Sequence, residues 1–382
     1  MQDKLKDIFK KCAKEAAVYV HVPFCARACA YCKFYKAPPS AANFDFYLEN
    51  LELEAQKFFE RARGLEISSV FFGGGTPTLL DEPRLARLAK IFRPRAKNVE
   101  WTIEASPQTI NPRKLKLLKD LGINRLSLGV QSFFESTLKN LGRPHPLSAS
   151  LRAIDSALAA FENVNIDLIF GAPNQRLAEW EADLIKAVSY PLKHISAYCL
   201  EFESATSACA GNAKPIELQE KEVDFLNLAR KILPENGFSH YEISNYAKSG
   251  FACKHNLNTW DMNSWIGFGP SAASQFGGLR FKNASDLEIW ARGVQSGEPA
   301  AEDIVVLDDE EMFSCALAFG LRKIGGVNLK EIKERFKNAD FAKRESKIEE
   351  LLNMNLLEKR GDFLKISPES IPLADSIAVE LI

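Results

Sequence analysis

The chain has almost no net charge: 49 Lys and Arg stand against 50 Asp and Glu over 382 residues. It therefore lacks the basic excess with which general nucleic-acid binders displace counterions from phosphates. It also lacks any apolar run near the roughly 18 residues that a membrane-spanning helix needs. The amino-terminal stretch MQDKLKDIFKKCAKEAA carries charge throughout and no apolar h-region, which argues against a secretory signal. Leu5, Ile8, Phe9 and Cys12 recur there at helical spacing, predicting a short amphipathic helix over residues 1–17 that caps the fold rather than contacting a membrane. The expected compartment is the cytoplasm. Disulfides are not expected there, and a chain of this length buries a large core without them.

What is present is an alternation of short strands and helices. Val18–Val22 alternates branched apolar and polar residues and stops at Pro23; similar segments recur at Ser69–Phe72, Val99–Ile103, Arg125–Val130, Asn165–Phe170 and His194–Leu200. Helical patterns at Phe44–Arg63, Pro83–Ile91, Pro112–Leu121, Ala149–Phe161 and Leu177–Ser189 fill the gaps. Strands separated by helices pair in parallel, because a parallel neighbour needs a crossover. Six such units predict an α/β fold, a partial (β/α)6 barrel of TIM type over residues 18–213. The pattern then changes. Residues 214–300 read as an extension of the barrel, with a helix at Glu217–Leu233 and a polar, aromatic, glycine-rich stretch. Residues 301–382 read as a small, mostly helical unit of winged-helix type, with a strand at Phe363–Ile366.

The ends of the six strands carry the reactive or unusual residues: a cysteine cluster, Gly73-Gly-Gly-Thr-Pro-Thr78, Glu104, Gln131, Asp167 ahead of Gly171-Ala-Pro173, and Glu201. In a βα barrel these ends meet at one mouth, where such folds place their chemistry. Of eight cysteines, Cys25, Cys29 and Cys32 fall within eight residues, and the other five read as packing residues. A structural zinc site takes four ligands, often from paired CxxC elements, and no second pair is present. An iron–sulfur cube also takes four, so three thiolates leave one iron open to a non-protein ligand.

CxxxCxxC after the first strand resembles the radical S-adenosylmethionine (SAM) superfamily. Tyr19-Val-His-Val-Pro-Phe-Cys25, the Gly73–Thr78 turn, Gly129-Val-Gln-Ser132, Leu141-Gly-Arg-Pro-His145 and Asp167-Leu-Ile-Phe-Gly-Ala-Pro173 resemble its coproporphyrinogen III dehydrogenase-like group. Within that group His255-Asn-Leu-Asn-Thr-Trp260 and Gly267-Phe-Gly-Pro-Ser271 are most similar to the haem-chaperone branch. Two differences favour that branch over the oxygen-independent dehydrogenase. The dehydrogenase typically adds a fourth cysteine where this chain has Phe34, and it carries a longer leader than the 17 residues before Val18.

The resemblance implies a [4Fe–4S] cluster on Cys25, Cys29 and Cys32, and a SAM site drawn from Tyr19, Tyr31, Gly74, Gly75, Thr76, Glu104, Gln131, Arg143 and Asp167. Tyr31 either packs on an adenine or shields the cluster. The glycine turn lets backbone approach a ligand, and Arg143 suits a carboxylate through its planar fork. His255 and Trp260 are the candidates for haem ligation and stacking, with His21, His145 and Cys253 as alternative axial ligands. The branch usually has tyrosine before that tryptophan, where this chain has Thr259. The function implied is haem delivery to haemoproteins such as respiratory cytochromes; the alternative is radical oxidative decarboxylation of coproporphyrinogen III. The implied partners are haem or a porphyrin and recipient haemoproteins, with homodimerisation and peripheral membrane contact left open.

Overall fold

The computed structural model describes residues 14–29, 31–93, 98–143, 145–200, 215–298 and 300–382, without the side chains of 215–221 and 343. Its first half is a run of strand–helix units: β1 (Glu15–Val22), α1 (Ala41–Arg61), β2 (Glu66–Gly74), α2 (Glu82–Phe92), β3 (Glu100–Ala105), α3 (Pro112–Asp120) and β4 (Arg125–Gln131). It continues through α4 (Glu135–Asn140), α5 (Leu147–Ala160), β5 (Asn163–Phe170), α6 (Leu177–Val188), β6 (His194–Cys199) and α7 (Pro215–Glu235). The six strands pair in chain order and in parallel, as the crossovers demand. The first strand starts at Glu15, three residues earlier than expected, because Ala16 and Ala17 are small enough to be buried in the sheet. Residues 1–13, where the amino-terminal helix was expected, and Glu201 lie outside the described residues.

The glycine-rich stretch after α7 adds strands on both sides of the barrel. β7 (Ser239–Glu242) and β8 (Asn245–Ala247) extend the sheet antiparallel beyond β6. After the short helix α8 (Lys254–Trp260), β9 (Trp265–Phe268) joins β1 as a seventh parallel strand, and β10 (Ala273–Phe276) and β11 (Leu279–Asn283) follow antiparallel. Helix α9 (Leu287–Ser296) and strand β12 (Ala301–Val306) complete a twelve-stranded open sheet. The last unit comprises α10 (Asp309–Gly320), β13 (Val327–Asn328), α11 (Leu329–Arg335), α12 (Ala342–Asn353), β14 (Leu357–Arg360), β15 (Phe363–Ile366) and α13 (Ala374–Val379). Its three short strands form a separate sheet, and its apolar core of Phe313, Leu317, Leu351, Leu364 and Ile377 takes in Met262. Among the described residues no helix is long and apolar enough to cross a membrane.

Strand side chains divide by parity, as a pleated sheet requires. Val18, Val20, Val70, Phe72, Ile103, Leu126, Leu128, Ile166, Leu168 and Ile195 enter the core beneath the helices. The opposite parity is polar and fills the barrel interior: Ser69, Thr102, Arg125, Ser127, Asn165, His194 and Ser196 are all buried. Several of these groups satisfy one another, while Thr102 Oγ1 and Arg125 Nε have no hydrogen-bond partner among the described residues. Asn165 Nδ2 donates to Ser127 Oγ and Asp167 Oδ1, both at 2.8 Å, and its Oδ1 lies 2.7 Å from His194 Nδ1. His194 Nε2 lies 2.8 Å from Tyr241 Oη.

One buried carboxylate ties α1 to the added strands. Glu54 accepts from Gly269 N (2.8 Å), Asn283 Nδ2 (2.8 Å) and Trp290 Nε1 (3.1 Å). Gly269 has φ +91°, and a Cβ there would sit 2.6 Å from the His21 carbonyl oxygen, so Glu54 secures the turn that backs the end of β1. Three donors converging on two oxygens leave no place for an amide. Glu54→Gln sets an N–H against one of them, and chemical denaturation should show a loss of about 1–3 kcal/mol, the cost of a buried unsatisfied donor. A midpoint and slope equal to wild type would refute this.

Candidate functional site

The cysteine loop follows β1 and is shaped by the glycine turn after β2. The β1–β2 register sets His21 opposite Gly73 and Val22 opposite Gly74. Gly75 N donates to Val22 O at 2.8 Å and Thr76 N to Phe24 O at 2.7 Å, so the turn is stitched to the first residues of the loop. Gly74 has φ +102°, and a Cβ there would lie 2.4 Å from the His21 ring. At Gly75 it would lie 2.6 Å from Phe24 O. These two glycines are needed for close packing of turn on loop, beyond any approach of a ligand. Thr76 Oγ1 meets Cys25 Sγ at 3.6 Å, and Cys32 N donates to Cys29 O at 3.1 Å. All three cysteines are free thiols, half-buried and on one loop. Among the described residues no three His, Cys, Asp or Glu side chains converge on a single ion. A donor set of three separate thiols suits a cluster, in which each thiolate takes its own iron.

Two groups of expected residues surround this loop. On one side Gln131, in the left-handed region at φ +70°, folds over Gly129 beside Arg143: a Cβ at Gly129 would lie 2.8 Å from Gln131 Nε2 and 3.4 Å from an Arg143 terminal nitrogen. The Arg143 guanidinium sits 5.8 Å from the Tyr31 ring centroid. Tyr31 Oη and Arg143 Nε are buried and have no hydrogen-bond partner among the described residues. Orphaned polar atoms beside three free thiols fit a ligand that carries both charge and hydrogen-bonding groups. Tyr31, Arg143 and the cysteines therefore suit the cluster and SAM that the motif implies.

On the other side Glu104 and Asp167 face the barrel interior. Gly74 N donates to Glu104 Oε2 at 3.1 Å. Burial, then the neighbouring Asp167, push the Glu104 carboxyl up to about 8. Burial likewise raises Asp167. Tyr19 belongs here too. Its hydroxyl is hydrogen-bonded to His21 Nδ1 at 3.2 Å, and burial, followed by the charges of Glu104 and Cys32, raises it.

The haem candidates lie at opposite ends of α8. His255 closes the interior: its Nδ1 is 3.0 Å from Ser69 Oγ, and its ring packs 5.0 Å from Phe71 and 6.3 Å from Tyr19. Burial, then Arg125, lower it to about 3, so the imidazole is neutral, as iron ligation requires. Glu100 Oε1 caps the helix, accepting from Lys254 N (2.9 Å) and His255 N (3.3 Å). Trp260, five residues on, is about 140° around the helix and packs against the carboxyl-terminal unit, with Phe319 at 6.1 Å and the Arg322 guanidinium 4.8 Å above its ring. The structure thus does not bring His255 and Trp260 to one surface. Of the alternative ligands, His21 has both ring nitrogens engaged, by Tyr19 Oη and Tyr35 O (3.1 Å). Cys253 is buried against Glu100 and pushed up to about 12 by burial. His145 is buried, and neither ring nitrogen makes a well-formed hydrogen bond.

Ser69, Phe71, Glu100 and Arg125 were not singled out from sequence. Their signal is a polar or aromatic residue at every second position of an otherwise apolar strand. A pH dependence follows for Glu104. A carboxyl held protonated up to about 8 in the folded state contributes stability that is full below the unfolded value near 4.3 and is lost as pH rises toward 8. Glu104→Gln, whose amide oxygen can still accept from Gly74 N, should show a smaller fall in Tm between about pH 5 and 8 than wild type. Parallel Tm–pH lines for the two proteins would refute it.

Comparison with known proteins agrees with this geometry. Residues 19–185 match the radical SAM superfamily. The chain is 30% identical over 378 residues to the haem chaperone HemW of Lactococcus lactis, covering 95% of this chain and 96% of that one. It is 32% identical over 328 residues to HemW of Bacillus subtilis, covering 84% and 86%. The solved structure of coproporphyrinogen III oxidase (HemN) from Escherichia coli, a radical SAM enzyme, shares the fold at a TM-score of 0.85 and 21% identity, covering 99% of this chain and 93% of that one. Related over nearly its whole length to HemW proteins, with the three-cysteine loop and barrel in place, the chain belongs to the HemW family of the radical SAM superfamily.

Proposed function

We propose that the protein is a cytoplasmic haem chaperone that binds haem, holds a [4Fe–4S] cluster and SAM at the barrel mouth, and delivers haem to haemoproteins such as respiratory cytochromes. The observation that carries this reading is the near-full-length relationship to proteins named haem chaperone HemW. Phe34 supports it: the position that is a fourth cysteine in the dehydrogenases holds a phenylalanine that is 60% exposed.

Cys25, Cys29 and Cys32 would hold the cluster as thiolates, with the Thr76 hydroxyl placed to donate to Cys25 Sγ. Cluster and SAM together supply one-electron chemistry when bound. The chain's own part is to bind and orient. Arg143 presents a guanidinium whose free Nε suits a carboxylate, Gln131 adds an amide beside it, and Tyr31 offers an aromatic face for an adenine. Glu104, already accepting from Gly74 N, has a second oxygen for an ammonium or a hydroxyl, and Asp167 lies opposite. Neutral His255 would hold haem iron through Nε2, since Nδ1 is taken by Ser69. Trp260 would stack on a porphyrin only from the other side of α8.

The second reading is oxidative decarboxylation of coproporphyrinogen III. What favours it is that Glu104, Gln131, Arg143 and Asp167 all surround the same mouth. Anaerobic reconstitution separates the two. The expected result is haem binding with no CO2 release from coproporphyrinogen III in the presence of SAM and reductant; sustained multiple turnover would overturn the chaperone assignment. Cys25→Ala should lose most of its iron and acid-labile sulfide, and full retention would exclude Cys25 as a ligand.

A further inference from the structure

The carboxyl-terminal unit contains a cavity of about 460 Å³ that the barrel site does not use, bounded by α11, the start of α12 and the β14–β15 hairpin. Its floor is apolar. Leu329 is buried, and the half-buried Phe341 ring is fixed edge-on against Phe313 at 4.8 Å. Its rim carries Lys330, Lys333, Lys337 and Lys359 against two acids, Glu334 and Asp362. Lys333 is matched: it pairs with Glu345 at 2.6 Å and lies 5.2 Å from the Phe341 ring. Lys330, Lys337 and Lys359 have no carboxylate partner among the described residues. In a chain with a net charge of −1, this concentration of unmatched cations over an aromatic floor is local. It suits one ligand class, an amphipathic anion with an apolar body and carboxylates that reach the rim. The two rim acids and the apolar floor oppose a phosphate ladder, which needs an uninterrupted basic track.

The cavity has a connection to the barrel. Between Lys333 and Lys337 lies Arg335, whose guanidinium donates to the Asp261 carbonyl at 2.7 Å and to that of Met262, the two residues that follow α8. Lys323 pairs with the Asp261 side chain. The helix that lines the cavity therefore also grips the helix that carries His255 and Trp260.

We propose that this cavity is a second, carboxylate-reading haem site, in which Phe341 and Leu329 face the porphyrin and Lys330, Lys337 and Lys359 pair with its propionates. It rests on the chaperone reading and adds to it a docking place outside the barrel. Charge-assisted pairs to a carboxylate are strong where the partner is otherwise unmatched.

The test is a titration of the full-length protein with haemin and with haemin dimethyl ester, followed by absorbance. The triple variant Lys330→Glu, Lys337→Glu, Lys359→Glu should weaken haemin binding by on the order of tenfold and leave the ester unaffected. A control reversing Lys90, Lys116 and Lys186, exposed on helices of the barrel, makes the same change in net charge and should bind haemin as wild type does. Equal haemin affinity in the cavity variant and wild type would overturn the proposal while leaving the chaperone reading standing. Equal weakening in cavity and control variants would reduce it to an effect of net charge and overturn it as well. A wild-type protein that binds no haemin would overturn both. Circular dichroism melting of the triple variant guards against misfolding; Phe341→Trp, with all lysines in place, keeps the floor aromatic and should report haemin by quenching.

Discussion

The structure depends on how closely β2 can run beside β1 at their carboxyl ends. Parallel pairing puts His21 and Val22 opposite Gly73 and Gly74, and the next residue, Gly75, hydrogen-bonds to Val22. A side chain at Gly74 or Gly75 would enter the His21 ring or the Phe24 backbone. With none there, the turn lies flat on the loop and delivers Thr76 to Cys25. The loop is held from behind by the same economy of space, with Tyr47 donating to His21 O at 2.9 Å and Gly269 packed against that carbonyl. Glu54 fixes the Gly269 turn in turn. The position of the cysteines is thus set by contacts on two sides, and within the loop Lys36 adds bonds from its Nζ to the Cys32 and Phe34 carbonyls, both at 2.8 Å.

The second constraint is the filling of the barrel. A parallel sheet covered by helices needs an apolar outer face, and here the inner face is polar and must satisfy itself. Asn165, Ser127, His194 and Tyr241 do this among themselves, while Glu100 spends its oxygen on the first turn of α8. That short helix belongs to both halves of the molecule. Its first turn completes the polar interior, and its last turn is held by Arg335, Lys323 and Arg322 of the carboxyl-terminal unit. A single porphyrin cannot meet His255 and Trp260 together, because one ring points into the barrel and the other lies against Phe319. Contact with both requires α8 to leave one of its two seats.

The six βα strands were legible because each carries buried apolar residues at alternate positions, as in Leu126, Leu128 and Val130. The mouth was legible because its residues follow those strands. What sequence left unread is of two kinds. β7 to β11 are three to five residues long and interrupted by glycine, too short to show a period; β9 is a strand because Gly267 can approach Ala273, where a Cβ would lie 2.4 Å from its carbonyl oxygen. The other kind is long-range. That Glu54 meets Gly269, Asn283 and Trp290, more than 200 residues away, follows from how α1 packs on the added strands. The five stray cysteines were read as packing residues; Cys253 and Cys315 are buried, and Cys12 and Cys209 lie outside the described residues.

Where the chain leaves polar atoms unsatisfied is itself informative. A buried donor or acceptor without a partner costs about 1–3 kcal/mol. Tyr31 Oη, Arg143 Nε and the two His145 nitrogens all belong to the cluster loop or to the segment after β4. By contrast the interior just below, equally polar, pairs Asn165 with three neighbours. Other buried atoms also go without a partner, Thr102 Oγ1 and Arg125 Nε in the interior among them; what sets Tyr31 and Arg143 apart is that they lie beside one another and the three free thiols, where a bound cofactor would supply the missing partners. The same reasoning separates the two ends of the molecule: the mouth lacks hydrogen-bond partners for buried groups, whereas the Phe341 cavity lacks counter-charges for exposed ones. The first deficit suits a small polar cofactor enclosed by protein. The second suits an amphipathic anion held at the surface and released again, and release is what a carrier, unlike an enzyme that must enclose its substrate, has to provide.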